Sequence, residues 1–295
     1  MLQRILIYLG LITIVFIADD ENLFAQPFVD IANFNTQVFQ SSYKDSMKAK
    51  NKTTDYLLSV FLPKQFKNDN SFLLRLSAEK LHSEYRSDTT YSHNLYALSM
   101  PVGMQLVSKN KKWKSLFMVI PKVSSDFKDN LRNDYQVGGT LLFTYVQSET
   151  LKLKAGLYYN KEYFGNYFVP LVGIDWKASS HLSLYGILPS NFRIEYRLGN
   201  KFFTGIGYKS FQRSYRLSAK LSNNFVRARE TQIKLFTDYF VYKKILLFAD
   251  VAHTIGYSII QYRDKKTKSE NNPVYSPFRN NFLFTVGLAY RLRLD

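Results

Sequence analysis

Three features predict an all-β fold built as a transmembrane antiparallel β-barrel: an apolar N-terminal leader, alternating runs longer than soluble strands, and turns that are short on one side and longer on the other. The expected count is about 14 strands, or about 12 if the first segment acts as a plug or the 181–198 region pairs differently. Composition agrees. The chain of 295 residues carries 40 Lys and Arg against 23 Asp and Glu, a formal net charge of +17, which points to an anionic partner such as nucleic acid or lipid headgroups. It has no cysteine, which excludes a disulfide scaffold, a thiolate zinc site and a cysteine nucleophile. Aromatic residues make up 16%, far more than a disordered basic tail would hold.

The leader comes first. Arg4 supplies a positive start, Ile5 to Ala18 is apolar apart from Gly10 and Thr13, and Asp19-Asp20-Glu21 closes the run. A spanning helix needs about 20 apolar residues, so this run suits a signal peptide of residues 1–26, with Ala25 as the small residue for cleavage. Export removes the protein from nucleic acid. Residues 27–295 then form a single barrel domain of the cell outer membrane.

Strands are expected, in order, at 30–42, 54–64, 70–83, 93–107, 112–123, 134–148, 151–163, 166–178, 181–188, 191–198, 201–218, 229–242, 245–262 and 279–293. The clearest is Phe192-Arg193-Ile194-Glu195-Tyr196-Arg197-Leu198, where strict alternation puts three charges on one face and four apolar groups on the other. Many of the runs reach the length that a tilted strand needs to cross a bilayer. Soluble strands are usually about 5 to 6 residues.

With both termini in the periplasm, the periplasmic turns fall near Lys67–Asn70, Lys109–Lys111, Ser148–Thr150, Ser179–Ser180, Gly199–Asn200 and Lys243–Lys244, all short. The outer loops include Lys44–Thr53, Glu84–Ser92, Ser124–Asn133, Ser222–Ala228 and Asp264–Phe278, most of them long, although the connections at Gly165–Asn166 and Ser190 are tight. Lys44, Lys48, Lys50 and Lys52, with Lys265, Lys266 and Lys268, fall in these loops, where phosphate-bearing surface lipids are a plausible counter-charge. A solvated loop is the commoner explanation for such runs.

Near the C-terminus, Thr285-x-Gly287-x-x-Tyr290-x-Leu292 resembles the signal by which outer-membrane barrels are read by the insertion machinery, a transient partner on this view. Arg293, Leu294 and Asp295 follow where that signal often ends on an aromatic residue.

Further residues carry a family resemblance: Ser125-Asp126-Phe127-Lys128-Asp129, Tyr159-Asn160-Lys161-Glu162-Tyr163-Phe164-Gly165, Phe168 to Trp176, Leu184 to Pro189, and Glu195-Tyr196-Arg197-Leu198. Here the chain resembles an uncharacterised outer-membrane β-barrel family, a domain of unknown function of Bacteroidetes-type Gram-negative bacteria. The resemblance is densest between about residues 120 and 260. It implies a fold and a compartment and no activity.

Alternation sends Tyr158, Asn160, Glu162, Asp175, Arg193, Glu195, Arg197, Lys234, Asp238 and Asp250 into the lumen, with Lys177, and leaves Val172, Ile174, Trp176, Phe192, Ile194, Tyr196 and Leu198 to the lipid. Charges of both signs on neighbouring strands either fill and solvate the interior or line a pore for small solutes. The expectation is a non-enzymatic barrel of structural role or a passive pore, without cofactor or metal. The alternative is a lipid-modifying enzyme, with His181-x-Ser183 as a serine and histidine on one strand face. No two histidines have metal-ligand spacing.

Overall fold

The computed structural model describes residues 27–43, 46–86, 90–129, 134–218, 225–262 and 278–294. The leader, Lys44 and the Lys265 to Lys268 run lie outside the described residues. The chain forms a closed antiparallel barrel of 14 strands, each paired with its neighbour in sequence and the last with the first. In order they are β1 (Phe28–Tyr43), β2 (Ser46–Gln65), β3 (Ser71–Arg86), β4 in two halves (Thr90–Ser99 and Val102–Val107), β5 (Trp113–Ser125), β6 (Tyr135–Val146) and β7 (Leu151–Glu162). Then follow β8 (Gly165–Lys177), β9 (Leu182–Leu188), β10 (Asn191–Arg197), β11 (Phe202–Arg216), β12 (Phe225–Tyr242), β13 (Ile245–Tyr262) and β14 (Phe282–Arg293).

β1 and β14 close the ring from Phe28 opposite Arg293 to Phe39 opposite Leu283. No strand edge is left at the seam, as a membrane-spanning sheet requires. The six short turns all join strands at the end that carries the described termini, here the terminal end, and the opposite end is the far end. Outward positions form an apolar belt that includes Phe34, Leu58, Phe117, Leu157, Val172, Ile206, Leu235 and Val286, all exposed. Exposed apolar side chains on this scale are stable only against lipid.

The sequence reading is corrected in two respects. β4 is broken at Met100–Pro101, because proline has no N–H for the ladder. Instead the Pro101 carbonyl accepts from the Arg75 N–H, and the Met100 N–H donates to the Pro121 carbonyl. Lys48, Lys50 and Lys52 belong to β2 rather than to a loop, β3 runs on to Arg86, and β12 already begins at Phe225 within the expected 222–228 loop. There the two faces no longer alternate cleanly between apolar and polar, so period 2 loses its contrast although backbone pairing continues.

Two hairpins set the geometry of the interior. β9 and β10 have only 7 residues each, between a β8 of 13 and a β11 of 15. At about 3.3 Å per residue and a tilt of about 40°, such a hairpin rises roughly 17 Å, short of an apolar band of about 25 Å. The far half of β11 does the opposite and overreaches, leaning across the lumen until Arg216 pairs with Ser125 of β5.

Candidate functional site

Inward charges collect into three groups. The first lies toward the terminal end, where Phe28 of β1 reaches across to Tyr185 of β9, ring centroids 5.6 Å apart. Arg291 stacks on Phe28 at 3.6 Å, with Arg193 and Arg293 at 5.8 and 5.9 Å. Three cations around one aromatic face need counter-charge, and they have it. Asp238 receives both Arg193 (3.2 Å) and Arg291, which also holds Asp30 at 2.6 Å. Glu195 receives Arg293 at 2.7 Å and the Tyr185 hydroxyl at 2.8 Å. The participants come from β1, β9, β10, β12 and β14, so side chains bridge the lumen here.

The second group is the crossing of β11. Arg213 points to one side and pairs with Asp55 of β2 (2.7 Å) and Glu79 of β3 (2.6 Å), and the Tyr215 hydroxyl donates to Glu79. Ser214 points to the other side, its hydroxyl donating to Glu162 and its carbonyl accepting from Ser124. Arg216 pairs with Asp129 and Asp134. Consecutive residues thus tie the β11 end to opposite walls, and the far half of the lumen is divided by backbone. One side is filled by an apolar cluster that includes Phe39, Leu81, Tyr215, Tyr257 and Leu283.

The other side holds a cavity of about 1160 Å³. Its walls are the inner faces of β6 to β9, with Tyr158, Val169, Leu171 and Ile187, the face of β11 and β12 that carries Ser210, Gln212 and Arg229, and Ile255 to Ser258 of β13 with Phe278, where the cavity meets the apolar cluster. Pro189, Ser190 and Asn191 at the β9–β10 tip line its base.

The third group is a pair of local ion pairs, Lys154–Asp175 at 2.7 Å between β7 and β8, and Lys234–Asp250 between β12 and β13.

Each sequence-predicted residue now has a place. Tyr158 lines the cavity. Asn160 donates to Glu162, which also meets Gln136 and Lys122. Asp175, Lys234 and Asp250 are in the local pairs, and Arg193, Glu195 and Asp238 surround Phe28. Arg197 lies at the terminal rim, bonded to Asn200 at 2.8 Å, and Lys177 is exposed at the end of β8. On β14, Thr285 is buried, Phe248 occupies the space over Gly287, and Tyr290 is exposed on the outer side while Leu292 is partly buried. His181 and Ser183 are not brought together as a pair: His181 bonds Ser180 at 2.8 Å and stacks on Tyr196.

Sequence reasoning missed Phe28, Arg291, Arg293 and the whole β11 crossing. One signal was available for the crossing. On β11 the outward face turns polar after Ile206, through Ser210, Gln212 and Ser214, before an apolar belt would end.

Comparisons follow the architecture. No curated protein matches the chain. Among solved structures it is similar to an outer membrane channel from Pseudomonas putida F1, at 11% identity over 94% of this chain and 100% of that one, with a TM-score of 0.47. It is also similar to a mutant of the TodX monoaromatic hydrocarbon channel (12%, 90% and 91%, 0.43) and to the NanC porin (8%, 88% and 100%, 0.38). The fold itself is a closed antiparallel β-barrel with an apolar outward belt. The family match reaches well beyond the central third of the sequence. This chain belongs to the family described as Domain of unknown function (DUF6268), which matches residues 21–291.

Proposed function

We propose that this chain is an integral outer-membrane protein, delivered by a cleaved leader and inserted with both termini in the periplasm, that acts as a narrow channel for small solutes. Its neighbours are outer-membrane lipids, with the insertion machinery reading β14 in passing. The observation that carries this reading is the Phe28–Tyr185 contact ringed by Arg193, Arg291 and Arg293. A barrier made of side chains opens by rotamer change, on a far smaller scale than a moving plug domain. Its three arginines are matched by Asp30, Asp238 and Glu195, so the barrier selects by size and not by net charge.

Planar-bilayer recording tests it. The expected result is a small unit conductance that rises severalfold in Phe28→Ala. A wide conductance in the parent protein, unchanged in the variant, would show that the ring is not the constriction. Silence in both would leave the barrel a structural role.

A further inference from the structure

The short β9–β10 hairpin leaves a notch in the barrel wall. β8 pairs with β9 only from Val172 to Lys177, so no strand covers Gly165–Leu171 on that side. β11 pairs with β10 from Phe203 to Lys209, the Ser210 N–H still reaches the Ser190 carbonyl, and beyond it the strand parts from β10, stays paired with β12 as far as Arg216 opposite Phe225, and leans inward to Ser125 of β5. Between these two edges the cavity of about 1160 Å³ meets the outside. What faces the notch follows from the belt. Leu188 at the hairpin tip is opposite Val172, yet Phe168, four residues further toward the far end, is 60% exposed and packs with Tyr159 at 4.9 Å. Apolar surface continues past the tip on the β8 side, while Ser210 and Gln212 make the β11 side polar, so the opening sits where the hydrocarbon gives way to headgroups.

The cavity is also graded. Leu171, Ile187 and Val169 lie at its base with Tyr158 and Tyr208, level with the hairpin tip. Gln212 and Arg229 lie opposite each other in register beyond it, toward the far end. Arg229 is exposed and makes no ion pair among the described residues, unlike Arg213 and Arg216 on the neighbouring strand. The volume is at or above the roughly 300–1,000 Å³ of small-molecule sites, enough for an acyl chain with water around its head.

We propose that this vestibule binds a single-chain anionic amphiphile that enters sideways from the outer leaflet, its chain among Val169, Leu171 and Ile187 and its anionic head on Arg229. The inference goes beyond the channel reading and does not need it: solute conduction runs through the Phe28 ring, whereas this ligand enters through the wall.

Native mass spectrometry of the intact barrel released from detergent counts bound chains, with palmitate and hexadecanol as probes. One palmitate per barrel is expected, bound about tenfold more tightly than hexadecanol because of one charge-assisted contact. Arg229→Gln should abolish that difference and leave hexadecanol unchanged. Val169→Trp should weaken both probes at least tenfold, with heat-modifiable gel migration confirming that the barrel is folded. Equal affinities in the parent protein would overturn the headgroup assignment, and absence of any adduct, or binding indifferent to Val169→Trp, would overturn the site. Sideways entry is read separately. The chain has no cysteine, so Ser190→Cys gives a single bimane label at the hairpin tip. Bromine on lipid acyl chains should quench it more than aqueous iodide, and the reverse order would place the opening in water. If Phe28→Ala leaves conductance unchanged while palmitate still binds, the channel reading falls and this one stands.

Discussion

The two halves of the lumen are obstructed by different materials. Toward the terminal end, side chains from five strands meet around Phe28, and no backbone leaves the wall. Toward the far end, β11 itself crosses, tied by Arg213 to β2 and β3 and by Ser214 and Arg216 to β5, β7 and the segment before β6. A side-chain barrier changes state by rotation about single bonds. A backbone barrier moves only as a unit, so the two halves are closed by elements of different mobility.

That contrast can be broken experimentally. Asp238→Ala should have the largest effect, because it strands Arg193 and Arg291 together in the interior with one counter-charge removed. Loss of one partner from a buried pair costs about 3–5 kcal/mol, to be read as a lower urea midpoint in detergent. Next is Glu79→Gln, which removes one of the two carboxylates on Arg213 and leaves a single oxygen for Arg213 and Tyr215 to share, and should cost about 1–3 kcal/mol. If the crossing is a separate unit, hydrogen exchange should speed up at the far ends of β2, β3 and β11 and not around Phe28. A uniform increase would mean that the halves are one cooperative block.

Gly287→Ala probes the wall beneath both. An added Cβ would sit 2.3 Å from the Phe248 ring and 2.7 Å from the Phe34 carbonyl oxygen, so the ring and the β1–β14 ladder must shift. The expected cost is about 1–3 kcal/mol, checked by the same urea titration. Asp69→Asn is the smallest change and serves as a control outside both halves. The Lys111 ammonium beside Asp69, 2.7 Å away, holds its carboxyl below the usual aspartate value of 3.8. Its contribution is therefore fully present above that value and fades as the pH falls through the lowered one. The pair lies in a surface turn, Lys111 exposed and Asp69 only partly covered, so the urea midpoint at pH 7 should not move measurably. An NMR titration of the Asp69 side chain gives the sign directly.

Strand order and the six short turns were legible in the sequence because bilayer-facing alternation is a strong, repeated signal. Arg193 and Glu195 could be assigned to one face because apolar residues flank them in strict order. The crossing was not legible from alternation alone. A strand that bends into the lumen keeps its period of 2, and Arg213 looks the same whether its face meets water or two carboxylates. Phe28 was hidden for another reason: as the first residue of β1 it shows no alternation, and its importance comes from β9, more than 150 residues away. Pro101 offered a plain hint that β4 would be interrupted, yet the ladder resumes so soon that one alternating run covers both halves.

The seam between β1 and β14 carries an implication for assembly. Asp30 is among the first described residues and Arg291 among the last, and they are direct partners. Until the whole polypeptide has been delivered and the ring zipped shut, that arginine lacks one of its two carboxylates. Ring closure and charge neutralisation are therefore a single event, and a barrel halted short of completion differs from a finished one in electrostatics as well as in shape.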